Sequence, residues 1–113
     1  MSAESLVQHI INKFNRKMVE SQEARAEVEH LIKTVNINLD NEVYSFKLEK
    51  AEIINFKPTL LDSADISIAT TAESLEKLID GTLRPMKAYI TKKVIVKGKM
   101  QDLLHLKKFL SSD

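Results

Sequence analysis

The first apolar stripe lies in residues 5–20, where Leu6, Val7, Ile10, Ile11, Phe14 and Met18 recur at three- and four-residue steps. That spacing puts them on one helical face. Asn12, Lys13, Arg16, Lys17 and Glu20 take the other. Ser21 and Gln22 break the pattern, and a second helix is expected over 22–32, with Ala24, Val28, Leu31 and Ile32 inward. The period then drops to two. Val35, Ile37 and Leu39 alternate with Thr34, Asn36 and Asn38, the pattern of a half-buried strand. Asp40-Asn41 signals a turn. Residues 43–50 alternate again, with Tyr44, Phe46 and Leu48 on one face, so the two segments form a hairpin. A third strand over 52–57 is expected to send Ile54 and Phe56 inward, and Pro58 ends it.

Residues 58–64 read as a loop containing Leu60 and Leu61, and a fourth strand over 65–70 carries Ile66 and Ile68 on one face. Thr70, with Glu73 three residues on, has the spacing of a capping box. The helix it opens holds Leu75, Leu78 and Ile79 and stops at Gly81. Pro85 suits the first turn of a short helix over 84–90, whose apolar residues are Met86, Tyr89 and Ile90. A fifth strand over 92–99 turns Val94 and Val96 inward and Lys93, Lys97 and Lys99 to water, with Ile95 among them. Gly98 marks a tight exit. A last helix over 100–110 has a wide apolar face of Met100, Leu103, Leu104, Leu106 and Leu110. Strands followed by helices, with one late strand returning, describe an α+β fold. The late strand follows a helical crossover, so parallel pairing with a neighbour is expected. The length of 113 residues suits one domain over 1–113.

Composition narrows the chemistry. With no cysteine, disulfides, thiolate metal sites and cysteine nucleophiles are excluded. No apolar run approaches the ~18 residues of a membrane span. The opening MSAESLVQHIINKF is amphipathic rather than a secretory leader. The terminal Ser111-Ser112-Asp113 is no peroxisomal address. A reduced, cytoplasmic home is the expectation. His9, His30 and His105 lack metal-pair spacing, and Ser63, Ser67 and Ser74 lack a nucleophile-elbow context. Glycine occurs only at 81 and 98, which leaves no phosphate-cradling loop. No catalytic residue, metal or cofactor is therefore expected. Charge is uneven: residues 1–81 hold nine Lys/Arg and fourteen Asp/Glu, whereas 82–113 hold eight and two. Such asymmetry fits an anionic partner or a solvated lysine face. The lysines are not interleaved with aromatics, and no helix-turn-helix or recognition-motif signature is present, which argues against nucleic acid.

The stretch 64–110 carries a more specific signal. Ala64-Asp65-Ile66-Ser67-Ile68 opens a strand. A capped helix then ends in Leu78-Ile79-Asp80-Gly81, followed by Leu83, Pro85, Met86 and Ala88. Lys93-Val94-Ile95-Val96-Lys97-Gly98-Lys99-Met100 follows, then Leu103, Leu106 and Leu110. This run resembles the C-terminal half of the sterol carrier protein 2 family, gap-free from Gly81 to Met100. Residues 33–60 are similar in architecture only, and 1–32 merely in being helical. Two positions depart from the family. Lys92 stands where a glycine is usual, which predicts a longer helix-to-strand join. Met86 stands where Gln or Asn is common.

The resemblance implies a single five-stranded sheet, mixed but mainly antiparallel, covered on one face by helices. Between the layers it implies an apolar tunnel for a sterol, fatty acid or fatty acyl-CoA, closed in part by the C-terminal helix. On the helices, Met86, Tyr89, Ile90, Leu103, Leu104 and Leu106 would line it. On the sheet the candidates are Phe46, Ile54, Phe56 and Ile68. The competing reading of each of these residues is ordinary packed core, as periodic apolar residues usually are. Lys92, Lys93, Lys97 and Lys99 would meet a lipid head group or an anionic membrane surface, or else guard an edge strand against pairing. The rival reading is an interaction or homodimerisation module whose interior is filled. A third is an accessory domain made as a separate chain from its enzyme.

Overall fold

The computed structural model describes residues 2–99, 101 and 102. Helix α1 spans Ala3–Glu20, α2 Gln22–Val28, β1 Ile32–Leu39, β2 Glu42–Glu49, β3 Glu52–Lys57 and β4 Ile66–Thr70. Then come α3 at Ala72–Asp80, α4 at Pro85–Ile90 and β5 at Val94–Gly98. The strands form one mixed sheet in the order β3-β2-β1-β4-β5. Three of the four strand pairings are antiparallel, and β1 and β4 pair parallel in the centre.

Local chemistry sets the boundaries. Ser2 caps α1, its hydroxyl accepting from Ser5 N–H. Ser21 ends α1 and caps α2 by accepting from Ala24 N–H, which explains the break between them. The second helix is shorter than expected. It stops at Val28, and Ile32 becomes the exposed first residue of β1. The cap of α3 is Thr71, not Thr70: the Thr71 hydroxyl accepts from Ser74 N–H at 3.0 Å. Thr70 instead ends β4 and donates its hydroxyl to Lys93 C=O. Gly81 stops α3 in the left-handed region, at φ +85°, as its position implied.

The parallel pair is not where the sequence pointed. β5 runs antiparallel to β4, with Thr70 opposite Val94. Two helices separate these strands, so the connection leaves and returns at the same end of the sheet. The parallel pair arises earlier, because the chain passes from edge strand β3 to β4 on the far side of β1. That crossover is the 58–64 loop. It is strapped down by Asn36, whose amide accepts from Leu61 N–H and donates to Leu61 C=O at 2.9 and 3.0 Å.

The main core lies between the sheet and α1 with α3. Leu6, Val7 and Ile11 of α1 and Leu75 of α3 bury against Val35, Ile37, Leu39, Tyr44 and Ile66. A second cluster joins Met18 and Val28 to Ala51 in the β2–β3 turn. Both turn residues, Lys50 and Ala51, have positive φ, the geometry of a tight primed hairpin turn. Ala51 accepts that conformation because its methyl is buried against the helices. At the outer edge of β3, Asn15 of α1 accepts from Ile53 N–H at 2.8 Å and donates to Ile53 C=O at 3.2 Å.

Candidate functional site

The pairing registers decide which residues look toward the helices. Val35 is opposite Phe46 and beside Ile66, and Ile37 is opposite Tyr44 and beside Ile68. Ile68 in turn faces Val96. These residues share one face, because cross-strand partners project the same way. The centre of this floor is buried: Val35, Ile37, Leu39, Tyr44 and Ile66. Its flanks are not. Phe46, Phe56, Ile68 and Val96 are only half-buried although they pack against that centre. Phe56 stacks on Tyr44, with ring centroids 5.5 Å apart.

Ile54 is a correction. Between Ser45 and Lys47 the register of β3 slips by a bulge, and Asn55 takes a left-handed φ of +58°. Two β3 residues then oppose one on β2, which reverses the alternation. Phe56 and Ile53 reach the helix side, while Ile54 pairs with Lys47 on the other.

On α4, Ala88 is fully buried and Met86 half-buried. Ile90 and Tyr89 are 71% and 46% exposed, so they stand at the surface rather than over the floor. Leu103, Leu104 and Leu106 lie outside the described residues. The four lysines are all exposed but do not form one patch. Lys92 and Lys93 sit at the α4–β5 junction, and Lys97 and Lys99 at the other end of β5, about 13 Å away along the strand. At the usual glycine position, Lys92 keeps the left-handed turn at φ +62°. The longer join expected there does not form.

Sequence reasoning missed one charged pair. Lys33 precedes Val35 by two residues and so belongs to the helix-facing side. Its ammonium lies 2.7 Å from the Asp102 carboxylate, which is 2% exposed. The hydrogen bond that the Lys33 ammonium donates to Asp102 holds it above its ordinary pKa against the opposing effect of burial. Asp102 Oδ2 has no hydrogen-bond partner among the described residues. The pair ties Asp102, beyond β5, to the end of the apolar floor. Nothing in the pattern of either segment signals it, since the partners are 69 residues apart.

The opposite face offers a small cleft of about 80 Å³ beneath the crossover loop, lined by Thr34, Ser45, Phe46, Lys47, Asn55, Lys57 and Leu61. Lipid-sized sites start at roughly 300 Å³, so this cleft is too small for one. Among the described residues no group of three or more metal-ligating side chains converges, and no helix is long and apolar enough to cross a membrane.

The model of the SCP-2 sterol transfer family matches residues 11–111. The chain belongs to that family. Among solved structures it is similar to palmitated sterol carrier protein 2-like 2 of Aedes aegypti (TM-score 0.67, 13% identity, 98% of this chain and 96% of that one). It is also similar to sterol carrier protein domain 2 of Helicoverpa armigera (TM-score 0.62, 17% identity, 96% and 90%). A third is the inverting sec-alkylsulfatase of Pseudomonas sp. (TM-score 0.56, 18% identity, 73% of this chain). The chain spans only 13% of that sulfatase and 14% of its double mutant, so it matches one small part of a much larger enzyme. No curated protein matches the chain by sequence. The SCP-2 architecture of a five-stranded mixed sheet with helices is the one seen here.

Proposed function

We propose that this SCP-2 domain, a single folding unit, binds a lipid non-covalently in an apolar tunnel between sheet and helices and carries it through the cytoplasm. The cargo is a fatty acid, a fatty acyl-CoA or a sterol-like molecule. The observation that carries this reading is the contrast on the floor. Phe46, Phe56, Ile68 and Val96 stay half-buried beside fully buried neighbours. Half-buried aromatic and branched side chains are ready to lose their remaining water to an acyl chain. Each methylene moved from water to such a site gains about 0.8 kcal/mol, so ten supply about 8 kcal/mol before the cost of immobilisation. Met86, half-buried on α4, is the adaptable member of the lining in this proposal. Leu103, Leu104 and Leu106 complete the wall in this proposal. Transfer is by binding and release, with no bond made or broken. Lys92, Lys93, Lys97 and Lys99 favour transient contact with an anionic membrane, where cargo is exchanged.

Native mass spectrometry of protein purified from cells tests this together with titration of fluorescent fatty acid, acyl-CoA and sterol probes. Co-purified lipid or saturable uptake is the expected result. A chain that leaves the cell empty, takes up none of the three probes and forms a tight dimer would instead be an interaction module.

A further inference from the structure

We infer that the tip of α4 is a membrane-inserting element, with Tyr89 and Ile90 entering an anionic bilayer inside a collar of Lys87, Lys92 and Lys93. This deepens the carrier reading and rests on it for its purpose, cargo exchange at membranes, but not for its geometry. Ala88 is fully buried and Leu83 nearly so, which anchors the helix to the body of the domain. The residues after Ala88 then have to face outward. Tyr89 is 46% and Ile90 71% exposed. The chain folds back on itself immediately beyond. Thr91 N–H donates to Lys87 C=O, Lys92 N–H to Tyr89 C=O and Lys93 N–H to Ala88 C=O, at 2.9, 3.2 and 2.9 Å. These bonds hold the three exposed cationic residues against the apolar pair, and Lys92 completes the knot with its left-handed backbone.

Exposed apolar residues scattered singly are ordinary, so exposure alone decides nothing. Charge distinguishes this tip from the exposed Val19 and Leu60. Val19 is more exposed but is followed by Glu20, and Leu60 lies two residues from Asp62. From residue 82 to 99 there are six Lys/Arg and no Asp or Glu. A tyrosine and an isoleucine ringed by lysines match the boundary of an anionic bilayer, where apolar groups reach the acyl region and ammonium groups meet phosphates.

The chain contains no tryptophan, so Ile90→Trp introduces a single reporter on an exposed position. With phosphatidylserine–phosphatidylcholine vesicles, its emission is expected to shift to the blue and to be quenched by brominated acyl chains. Pure phosphatidylcholine vesicles should give much less of either. Lys92→Glu with Lys93→Glu should weaken partitioning at least roughly fivefold for each cation removed. Ile90→Ser should weaken it roughly tenfold. Uptake of fluorescent fatty acid without vesicles is measured alongside. Sedimentation with the vesicles while the tryptophan stays wet overturns the proposal, because another face has docked. Absence of binding to either vesicle overturns it too. Loss of probe uptake in the wild-type chain, with tryptophan insertion intact, sinks the carrier reading and leaves the membrane tip standing.

Discussion

Replacing Lys33 by methionine removes an ammonium 2.7 Å from Asp102 while keeping most of the aliphatic stem. Asp102 would remain, 2% exposed, with neither carboxylate oxygen paired among the described residues. Stranding one member of a buried ion pair costs about 3–5 kcal/mol. Lys33 keeps 28% of its side-chain exposure, so water screens part of the interaction. The expected loss is therefore about 2–3 kcal/mol. Lys33→Met with Asp102→Leu removes both charges and should recover most of it, because an apolar pair of similar volume is commonly no worse than the ion pair. Urea unfolding at pH 7 with an unchanged m-value is the assay. The pH dependence supplies a second readout. Asp102 raises the Lys33 pKa above its ordinary 10.5. The protonated form is thus favoured by folding, and the pair contributes fully below the unfolded value. That contribution fades as pH rises through the higher folded one, so the gap between wild type and Lys33→Met should narrow above about pH 10.5. A single variant as stable as wild type, or a double variant no better than the single, would refute the reasoning.

Three further outcomes follow from the geometry. A Cβ at Gly98 would sit 2.8 Å from the backbone oxygen of Asp65, so Gly98→Ala must part β4 from β5 and should cost about 1–3 kcal/mol in thermal unfolding. Lys92→Gly should raise stability by about 0.5–1 kcal/mol by relieving a left-handed lysine, although it removes a surface cation. The Asp65 carboxyl lies below its ordinary pKa, chiefly because Thr34 N–H donates to it, with help from the Thr34 hydroxyl. Its contribution is present above the unfolded value and is lost as pH falls through the folded one, so Asp65→Asn should flatten the acid limb of a stability–pH curve.

The sequence revealed the parts governed by periodicity and local chemistry. The two-residue alternation of β1 and β2 fixed their inward sets correctly, and Gly81 and Pro85 marked the α3–α4 passage where the structure has it. The errors lie where two distant segments negotiate. The Asn55 bulge turned Ile54 to the wrong face, and strict alternation has no means of announcing an inserted residue. The Lys50-Ala51 turn lacks the expected Asn-Gly signal because burial of the Ala51 methyl replaces it. The family resemblance puts Tyr89 and Ile90 on the tunnel wall, but a helix anchored by Ala88 at its back turns them outward. Of the candidate lining, Phe46, Phe56 and Ile68 stand on the floor and Met86 is half-buried on α4, while Leu103, Leu104 and Leu106 lie outside the described residues.

The amide of Asn15 has a consequence for assembly. A sheet grows when a foreign strand reads the free N–H and C=O groups along its border. At Ile53 both are already engaged by a side chain from α1, which imitates the hydrogen-bonding of a neighbouring strand. Recruitment of another polypeptide at the β3 margin would first have to evict Asn15. Copies of this chain that met there would do so through side chains rather than by extending the sheet.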